Sequence, residues 1–147
     1  MDNKIKSKTR LAAIQLVAQQ LINNQDIDLI KEDFDKNYLN TVLEDGFEKV
    51  KYHVIFLSNL ISFYKSEDLN LISNKINSFI DFDRKFEKWD TINQAIILIS
   101  ISELRNLEKS KIIIVLNDYI EISKSFVTLK ETKLINSILD KLINENK

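Results

Sequence analysis

The chain has 147 residues, with 22 acidic and 21 basic side chains, a formal net charge of −1 and no cysteine. A chain of this length can bury a core without disulfide or metal cross-links, and it has the usual size of one domain, residues 1–147. The lack of cysteine excludes a disulfide framework, a thiol nucleophile and a cysteine-ligated zinc, and it predicts a reducing compartment, the cytoplasm.

The first ten residues, MDNKIKSKTR, lack the apolar core of a signal peptide. No run of the sequence approaches the roughly 18 apolar residues that a membrane span needs. Proline is absent and Gly46 is the only glycine, so the tight turns of β-hairpins have almost no support in this sequence. We therefore expect an all-α protein with no membrane segment.

Apolar residues recur at helical spacing in about seven segments. Ser66 or Asp68 and, further along, Asp90 are typical residues for the caps of two of these helices. The stretch AIILISI is apolar nearly all the way round and predicts a central, buried helix. The acidic segment 25–36 is predicted to be a flexible loop, because its side chains have little to bury. The predicted helices cover residues 7–23, 38–43, 47–64, 69–82, 91–104, 112–126 and 132–143.

Residues for catalysis are few. The only histidine, His53, is predicted inside the helix 47–64, where a lone histidine without a cysteine or histidine partner is a structural or surface residue. The acidic pairs flank helix ends, where solvated charge is their ordinary role. No glycine-rich phosphate loop, nucleophile elbow or HExxH motif is present. We therefore expect no enzymatic activity, no cofactor and no metal.

Charge is distributed unevenly along the amino-terminal third. Residues 1–24 carry four cations against Asp2 alone, a net charge of +3, whereas the acidic loop and short helix predicted for residues 25–48 have a net charge of −6. Composition leaves two interpretations of the basic arm, residues 1–10. It is a solvated tail, or it contacts nucleic-acid phosphates with its cations and with the free N–H groups of a helix N-terminus. The cations are Lys4, Lys6, Lys8 and Arg10.

Three blocks of the carboxy-terminal half resemble the NusB family of transcription antitermination factors. They are KWDTINQAIILISISEL, KIIIVLNDYIEISKSF and KLINSILDKL, and they are similar in sequence and spacing to the family's YEL, VINEAIELAK.F and FVNGVLDK. The first helix, KTRLAAIQLVAQQL, is similar to the family's RARExAVQALY. The positions that carry the resemblance are Glu103, Leu104, Asn117, Asp118, Glu121, Lys124, Phe126, Asn136, Leu139, Asp140 and Lys141.

The resemblance implies a NusB-like fold of about seven helices in two packed bundles. It also implies a non-catalytic RNA-binding factor that pairs with the small-subunit ribosomal protein NusE and binds single-stranded, boxA-type RNA of ribosomal RNA operon transcripts. RNA polymerase that carries this assembly resists premature termination. The RNA-binding residues implied here are Lys4, Lys6, Lys8, Arg10, Gln15 and Lys133.

Two asparagines, Asn117 and Asn136, lie within or next to the apolar stripes of their predicted helices. In a NusB-like fold, we expect their amides to be buried and to tie backbone groups across the junction of helices. Together with Glu103 and Asp140, they form the set of matched positions to which we assign a structural role.

The chain departs from the family pattern at Ala18 and Ser102, where the family has tyrosines, at Gln94 and Leu98, where it has arginines, and at Leu134, where it has phenylalanine. These changes remove cations and stacking surfaces that RNA binding uses. A diverged helical protein-interaction module with weak or no RNA binding is therefore the alternative. The same domain is also fused to RNA methyltransferases, but this sequence ends at Lys147 without a cofactor-binding domain, which disfavours an enzyme.

Overall fold

The computed structural model describes residues 1–39, 52–81 and 83–144. These residues form seven α-helices and one short 3-10 helix, and no strand occurs among them, which confirms the predicted all-α fold class. In chain order the α-helices are α1 Asn3–Asn23, α2 Ile27–Leu39, α3 Val54–Lys65, α4 Leu69–Phe79, α5 Thr91–Leu104, α6 Lys109–Ser123 and α7 Leu129–Asn144, and the 3-10 helix is Phe86–Lys88.

Helix α5 is the centre of the fold, as its sequence predicts. It begins and ends at the predicted residues, and every residue from Asn93 to Leu104 is buried. The hydroxyl groups of Ser100 and Ser102 donate hydrogen bonds to carbonyl oxygens one turn earlier, at 2.5 and 2.6 Å. These bonds let two polar side chains lie in an apolar core without leaving an unsatisfied donor.

The other helices pack around α5 in two groups. Helices α1 and α3 contact α5 and each other, and α2 packs against α1. On the other side, α6 and α7 contact α5 and each other, and α4 packs against α7. The two helical bundles therefore share one central helix, and α1 also contacts α6 where the bundles meet.

Side-chain caps fix the ends of several helices. The Asp2 carboxylate accepts a hydrogen bond from the Ile5 N–H at 2.8 Å, so α1 starts four residues before the predicted position. At α7, Thr128 and Glu131 form a reciprocal capping box: each side chain accepts a hydrogen bond from the other residue's backbone N–H. At the other end of α1, Asn24 has φ of 53°, a left-handed conformation that asparagine tolerates and that ends the helix.

The predicted loop over residues 25–36 is wrong, because most of it forms α2. Two isoleucines on one side of this helix, Ile27 and Ile30, are almost completely buried. On its polar side, Lys31 pairs with Asp35 at 2.7 Å and Lys36 with Glu32 at 3.3 Å, both at the i,i+4 spacing that supports a helix. A small apolar stripe and paired charges thus stabilise a helix in an acidic segment.

His53 was predicted to lie inside a helix, but it is the N-cap residue of α3. Its Nδ1 accepts a hydrogen bond from the Phe56 N–H at 3.1 Å, and α3 begins at the next residue. Helix α4 ends at Phe79, three residues before the predicted end, while α6 and α7 each begin three residues earlier than predicted. The predicted residues 40–43, 47–51 and 82 lie outside the described residues.

Candidate nucleic-acid interface

The predicted basic residues of α1 lie on two different faces of the helix. At about 100° per residue, Lys4, Lys8 and Gln15 fall within an arc of roughly 40°, whereas Lys6 and Arg10 lie on the other side. Lys4 and Gln15 are exposed and Lys8 is half-buried. Neither lysine forms an ion pair with the described residues. Lys4, Lys8 and Gln15 are therefore a single solvent-facing stripe, called here the α1 stripe.

Lys6 faces α6 instead. With Lys111 and Ile114 of α6 it lines a groove of about 530 Å³, called here the α1–α6 groove. Asp118 and Glu121 also line this groove, but their carboxylates already have partners: Asp118 accepts from Arg10 and Glu121 from Lys124, both at 2.7 Å. The groove thus has two lysines that lack a carboxylate partner among the described residues.

Arg10 is the centre of a buried cluster that joins three helices. Its Nε and Nη2 donate to the two carboxylate oxygens of Glu103 on α5, both at 2.9 Å, and its Nη1 donates to Asp118 on α6 at 2.7 Å. The guanidinium lies 5.4 Å from the ring centroid of Phe56 and 5.6 Å from that of Tyr119. Only 6% of Arg10 is exposed. We call Arg10, Glu103, Asp118 and Tyr119 the Arg10 cluster.

The electrostatics of the Arg10 cluster keep its arginine charged. Burial alone would lower the pKa of Arg10, but its hydrogen bonds and its proximity to the carboxylates of Glu103 and Asp118 raise that pKa above its ordinary value. Tyr119, which is fully buried, donates its hydroxyl to Glu103 at 2.5 Å. Burial, followed by the charge of Glu103, raises the pKa of Tyr119 well above its usual range. The phenol therefore remains a donor at ordinary pH.

The structure gives Arg10 a role that the sequence did not predict. Its guanidinium is held by two carboxylates and two rings and is 6% exposed where it lines the α1–α6 groove, so little of it is left for an RNA phosphate, and the RNA contact of Arg10 stays a prediction that this geometry does not support. The sequence places Arg10 beside three lysines, but its partners lie 93 and 108 positions further along the chain. Arg10 instead fixes α1 against α5 and α6, and so it orients the α1 stripe.

The expected burial of Asn117 and Asn136 is also wrong, because both side chains are exposed. The residue that makes the tie at the junction is Asp118, which also accepts a hydrogen bond from the Ser7 hydroxyl at 2.6 Å. Asp140 is exposed, and its side chain accepts from Asn144 at 3.2 Å. Each asparagine lies next to the apolar stripe of its helix, on the side that faces solvent.

Lys133 is exposed on α7, whose main neighbours are α4, α5 and α6. It therefore lies in a different bundle from Lys4 and Lys8. A single RNA strand that contacts both must run across the boundary between the bundles.

A cavity of about 650 Å³ lies between the start of α5 and α7 and was not foreseen from the sequence. Its floor has a polar side chain with an unsatisfied atom: Asn93 is 9% exposed, its Nδ2 donates to Glu131 at 2.6 Å, and its Oδ1 has no hydrogen-bond partner among the described residues. The opposite amide orientation would place two oxygens together, so the Glu131 carboxylate determines this one. Other residues that line this α5–α7 cavity are Arg84, Trp89, Lys130, Leu134 and Ile135.

The α5–α7 cavity presents acceptors at its floor. Hydrogen bonds from Asn93 and Thr128 lower the pKa of Glu131, which keeps this carboxyl ionised. With the free Asn93 carbonyl oxygen, the floor suits a group that donates N–H bonds or carries positive charge. The nearby indole of Trp89 and the side chain of Leu134 add apolar surface.

Three of the departures from the family pattern lie inside the protein. Gln94 is 8% exposed and donates to the Trp89 carbonyl at 2.7 Å, Leu98 is 3% exposed, and Ser102 is 1% exposed. A change at these positions alters the packing of α5 and removes little of the solvent-exposed surface. Ala18 and Leu134 are half-buried, so they are the replacements that change the accessible surface.

Metal-ion clusters and membrane spans are both absent from the described residues. No group of three or more His, Asp or Glu side chains in residues 1–39, 52–81 and 83–144 could hold a metal ion. Within the same residues, no helix is long and apolar enough to cross a membrane.

Comparison with known protein sequences identifies the family of this chain. The model of the NusB family matches residues 7–144. Proteins named transcription antitermination protein NusB are similar over 99% of this chain and 96% of their own length: that of Rickettsia felis is 28% identical and that of Rickettsia bellii is 30% identical. The protein of Rickettsia typhi is 29% identical over 98% of this chain. The chain therefore belongs to the NusB family.

Proposed function

We propose that this protein is a non-catalytic, cytoplasmic transcription antitermination factor that binds boxA-type single-stranded RNA together with the ribosomal protein NusE. Membership of the NusB family and the names of its relatives support the general role. The observation that carries the RNA part is the α1 stripe. It places on one helix face two lysines that form no ion pair with the described part of the chain and one exposed amide, and this helix is fixed in place at Arg10.

The α1 stripe has suitable chemistry for an RNA strand. Lys4 and Lys8 are one helical turn apart, about 6 Å along the axis, which is close to the spacing of successive phosphates in an extended strand. Gln15 can donate and accept hydrogen bonds, so its amide can contact a base edge. Lysines supply affinity that depends on salt, and the amide supplies some preference among bases.

The α5–α7 cavity supports the protein-partner part of the proposal. A partner that inserts an arginine or lysine side chain would satisfy the Asn93 carbonyl oxygen and pair with Glu131 in one step. The flat apolar part of that side chain would cover Trp89 and Leu134. NusE is the partner that the family relationship favours, and this cavity is its proposed docking point.

The test of RNA binding compares two variants with equal loss of charge. Replacement of Lys4 and Lys8 by alanine should flatten the log–log salt dependence of boxA-type RNA binding by about 1.4, or roughly 0.7 for each lost phosphate contact. The control, Lys6→Ala with Lys111→Ala, removes two cations of the α1–α6 groove and should leave the slope nearly unchanged. Equal effects of the two variants would count against a specific α1 stripe.

The test of partnership measures RNA affinity with and without NusE. Addition of NusE should tighten RNA binding at least tenfold, about 1.4 kcal/mol of coupling, and RNA must tighten the protein pair by the same factor. Asn93→Leu should weaken the protein pair and leave the RNA affinity of the chain alone unchanged. Asn136→Leu, exposed elsewhere on α7, is the matched control.

A protein-interaction module with weak or no RNA binding is the second candidate. The internal position of Arg10 and the loss of an aromatic side chain at Ala18 favour it, because both leave less RNA-binding surface than the sequence suggests. Under this candidate, NusE binding persists while boxA-type RNA fails to bind either alone or with NusE.

A further inference from the structure

Two exposed surfaces of this protein each combine an exposed apolar side chain with charges, acidic on one and with unpaired lysines on the other. One is the outer face of α2, where Leu29 is 61% exposed and is flanked on the same face by Asp26, Glu32 and Asp33. These acidic residues are three or four positions from Leu29, so they surround it on the helix surface. We call this the acidic α2 face.

The charges of the acidic α2 face are poorly compensated within the described residues. Glu32 has one partner, the exposed Lys36 at 3.3 Å. Asp26 accepts a hydrogen bond from the backbone N–H of Asp28 at 2.9 Å and lies near enough to Lys65 for its charge to act on that ammonium, but neither Asp26 nor Asp33 forms an ion pair with the described residues. An exposed leucine flanked by carboxylates, of which Asp33 forms no ion pair with the described residues, resembles the polar rim and apolar centre of a small interface.

The other surface is the α1–α6 groove, which has the complementary arrangement. Ile114 at its edge is 71% exposed and the adjacent Ile113 is 70% exposed. Lys6 and Lys111 line the groove without a carboxylate partner among the described residues, because Asp118 and Glu121 are already paired. An apolar groove with two free cations fits an apolar side chain flanked by two carboxylates.

The two surfaces cannot meet within one molecule. The groove lies at the N-terminal end of α1, beside Lys6, whereas α2 begins after the C-terminal end of α1 at Asn23. At 1.5 Å per residue these points on α1 are about 25 Å apart. A contact between the acidic α2 face and the groove must therefore join two copies of the chain.

We propose that the protein self-associates through its acidic α2 face, with Leu29 of one copy seated in the α1–α6 groove of another. Glu32 and Asp33 then face Lys6 and Lys111 of the neighbouring copy. The contact is heterologous, because it joins two different patches of the same chain. It depends on protein concentration, and salt weakens it because its rim is ionic. The α1 stripe and the α5–α7 cavity remain outside the contact, so self-association does not rest on the proposed function.

Charge reversal tests this contact, with sedimentation velocity at increasing protein concentration as the readout. The groove variant is Lys6→Glu with Lys111→Glu, and the face variant is Glu32→Lys with Asp33→Lys. Each alone should weaken self-association at least tenfold, about 1.4 kcal/mol. An equimolar mixture of the two should associate again, because one intact face meets one intact groove. The chain with all four changes should also associate, because the charges are exchanged across the contact.

Controls make each outcome decisive. Lys4→Glu with Lys8→Glu makes the same change in net charge on the other face of α1 and should leave self-association intact, and circular dichroism verifies that all variants fold. A parent protein that stays monomeric at the highest concentration, or variants that associate like the parent, would overturn the proposal. So would a groove variant that loses boxA-type RNA binding but keeps the parent's oligomeric state, since the groove would then be an RNA surface.

Discussion

Loss of the arginine side chain at position 10 should destabilise the protein strongly and leave the chemistry of RNA binding unchanged. Arg10→Met keeps much of the apolar stem but removes three hydrogen bonds and leaves Glu103, only 3% exposed, without its cation. Removal of one partner of a buried ion pair costs about 3–5 kcal/mol, because the remaining charge is uncompensated. For a chain of this size, that corresponds to a fall in melting temperature of roughly 10 °C or more.

The assay is urea unfolding of a short series of variants, monitored by circular dichroism. Lys4→Met is the control, because it replaces an exposed cation of the same helix and should change the free energy of unfolding by less than about 0.5 kcal/mol. Arg10→Met combined with Glu103→Gln should recover much of the loss, because the glutamine is neutral and still offers an acceptor to the Tyr119 hydroxyl. The double variant thus separates the cost of leaving the Glu103 charge uncompensated from the cost of the packing lost with the arginine side chain.

The reasoning would be refuted by an Arg10→Met protein that unfolds at the parent urea concentration. It would also be refuted if the folded variant showed a flatter salt dependence of RNA binding, as the Lys4 and Lys8 variant should. Either result would mean that the guanidinium is more accessible to RNA than its contacts with Glu103 and Asp118 imply.

Three further outcomes are expected from the same structure. Thr128→Ala removes one half of the α7 capping box and should lower the free energy of unfolding by about 1 kcal/mol in the same urea assay. Tyr119→Phe should reduce the alkaline loss of stability: the raised pKa of Tyr119 keeps it protonated when folded, so the parent loses stability above pH ~10, where the unfolded phenol ionises. The free energy of unfolding, measured by urea titration at several alkaline pH values, should fall with pH less steeply in Tyr119→Phe than in the parent, by up to about 1.4 kcal/mol per pH unit. Equal slopes in the two proteins would contradict the burial of this hydroxyl. Asn136→Leu should change the melting temperature little, since the amide is exposed; a large fall would restore the junction role that the sequence suggested.

The helices that sequence predicts best are those in which one physical effect dominates. The bounds of α5 were predicted to the residue because a segment that is apolar on every side has no alternative to burial. Helix α2 was missed because its support comes from two isoleucines and two i,i+4 ion pairs, which are weak signals beside a high density of carboxylates. Composition therefore overstated the tendency of this segment to remain unfolded.

The candidate site was harder to predict than the fold. Lys4, Lys6, Lys8 and Arg10 look alike in the sequence, and the tertiary structure divides them among a solvent-facing stripe, a groove and a buried cluster. Helical phase alone could have separated Lys6 from its two neighbours, since it requires only the spacing of residues. The partners of Arg10 could not be inferred in this way, because they come from helices that are distant in the chain. The unsatisfied oxygen of Asn93 likewise depends on the packing of α5 against α7.

The sharing of α5 between two bundles has a consequence for how the protein unfolds. Parts of a protein unfold separately when few contacts join them, but here both bundles pack on the same helix, α5. If either bundle opens, it exposes α5 to water and removes the surface on which the other bundle packs. We therefore expect backbone amides of α5 to exchange with deuterium only through global opening, at the same rate on the side of α1 and on the side of α7, so that neither half persists as an independently folded intermediate.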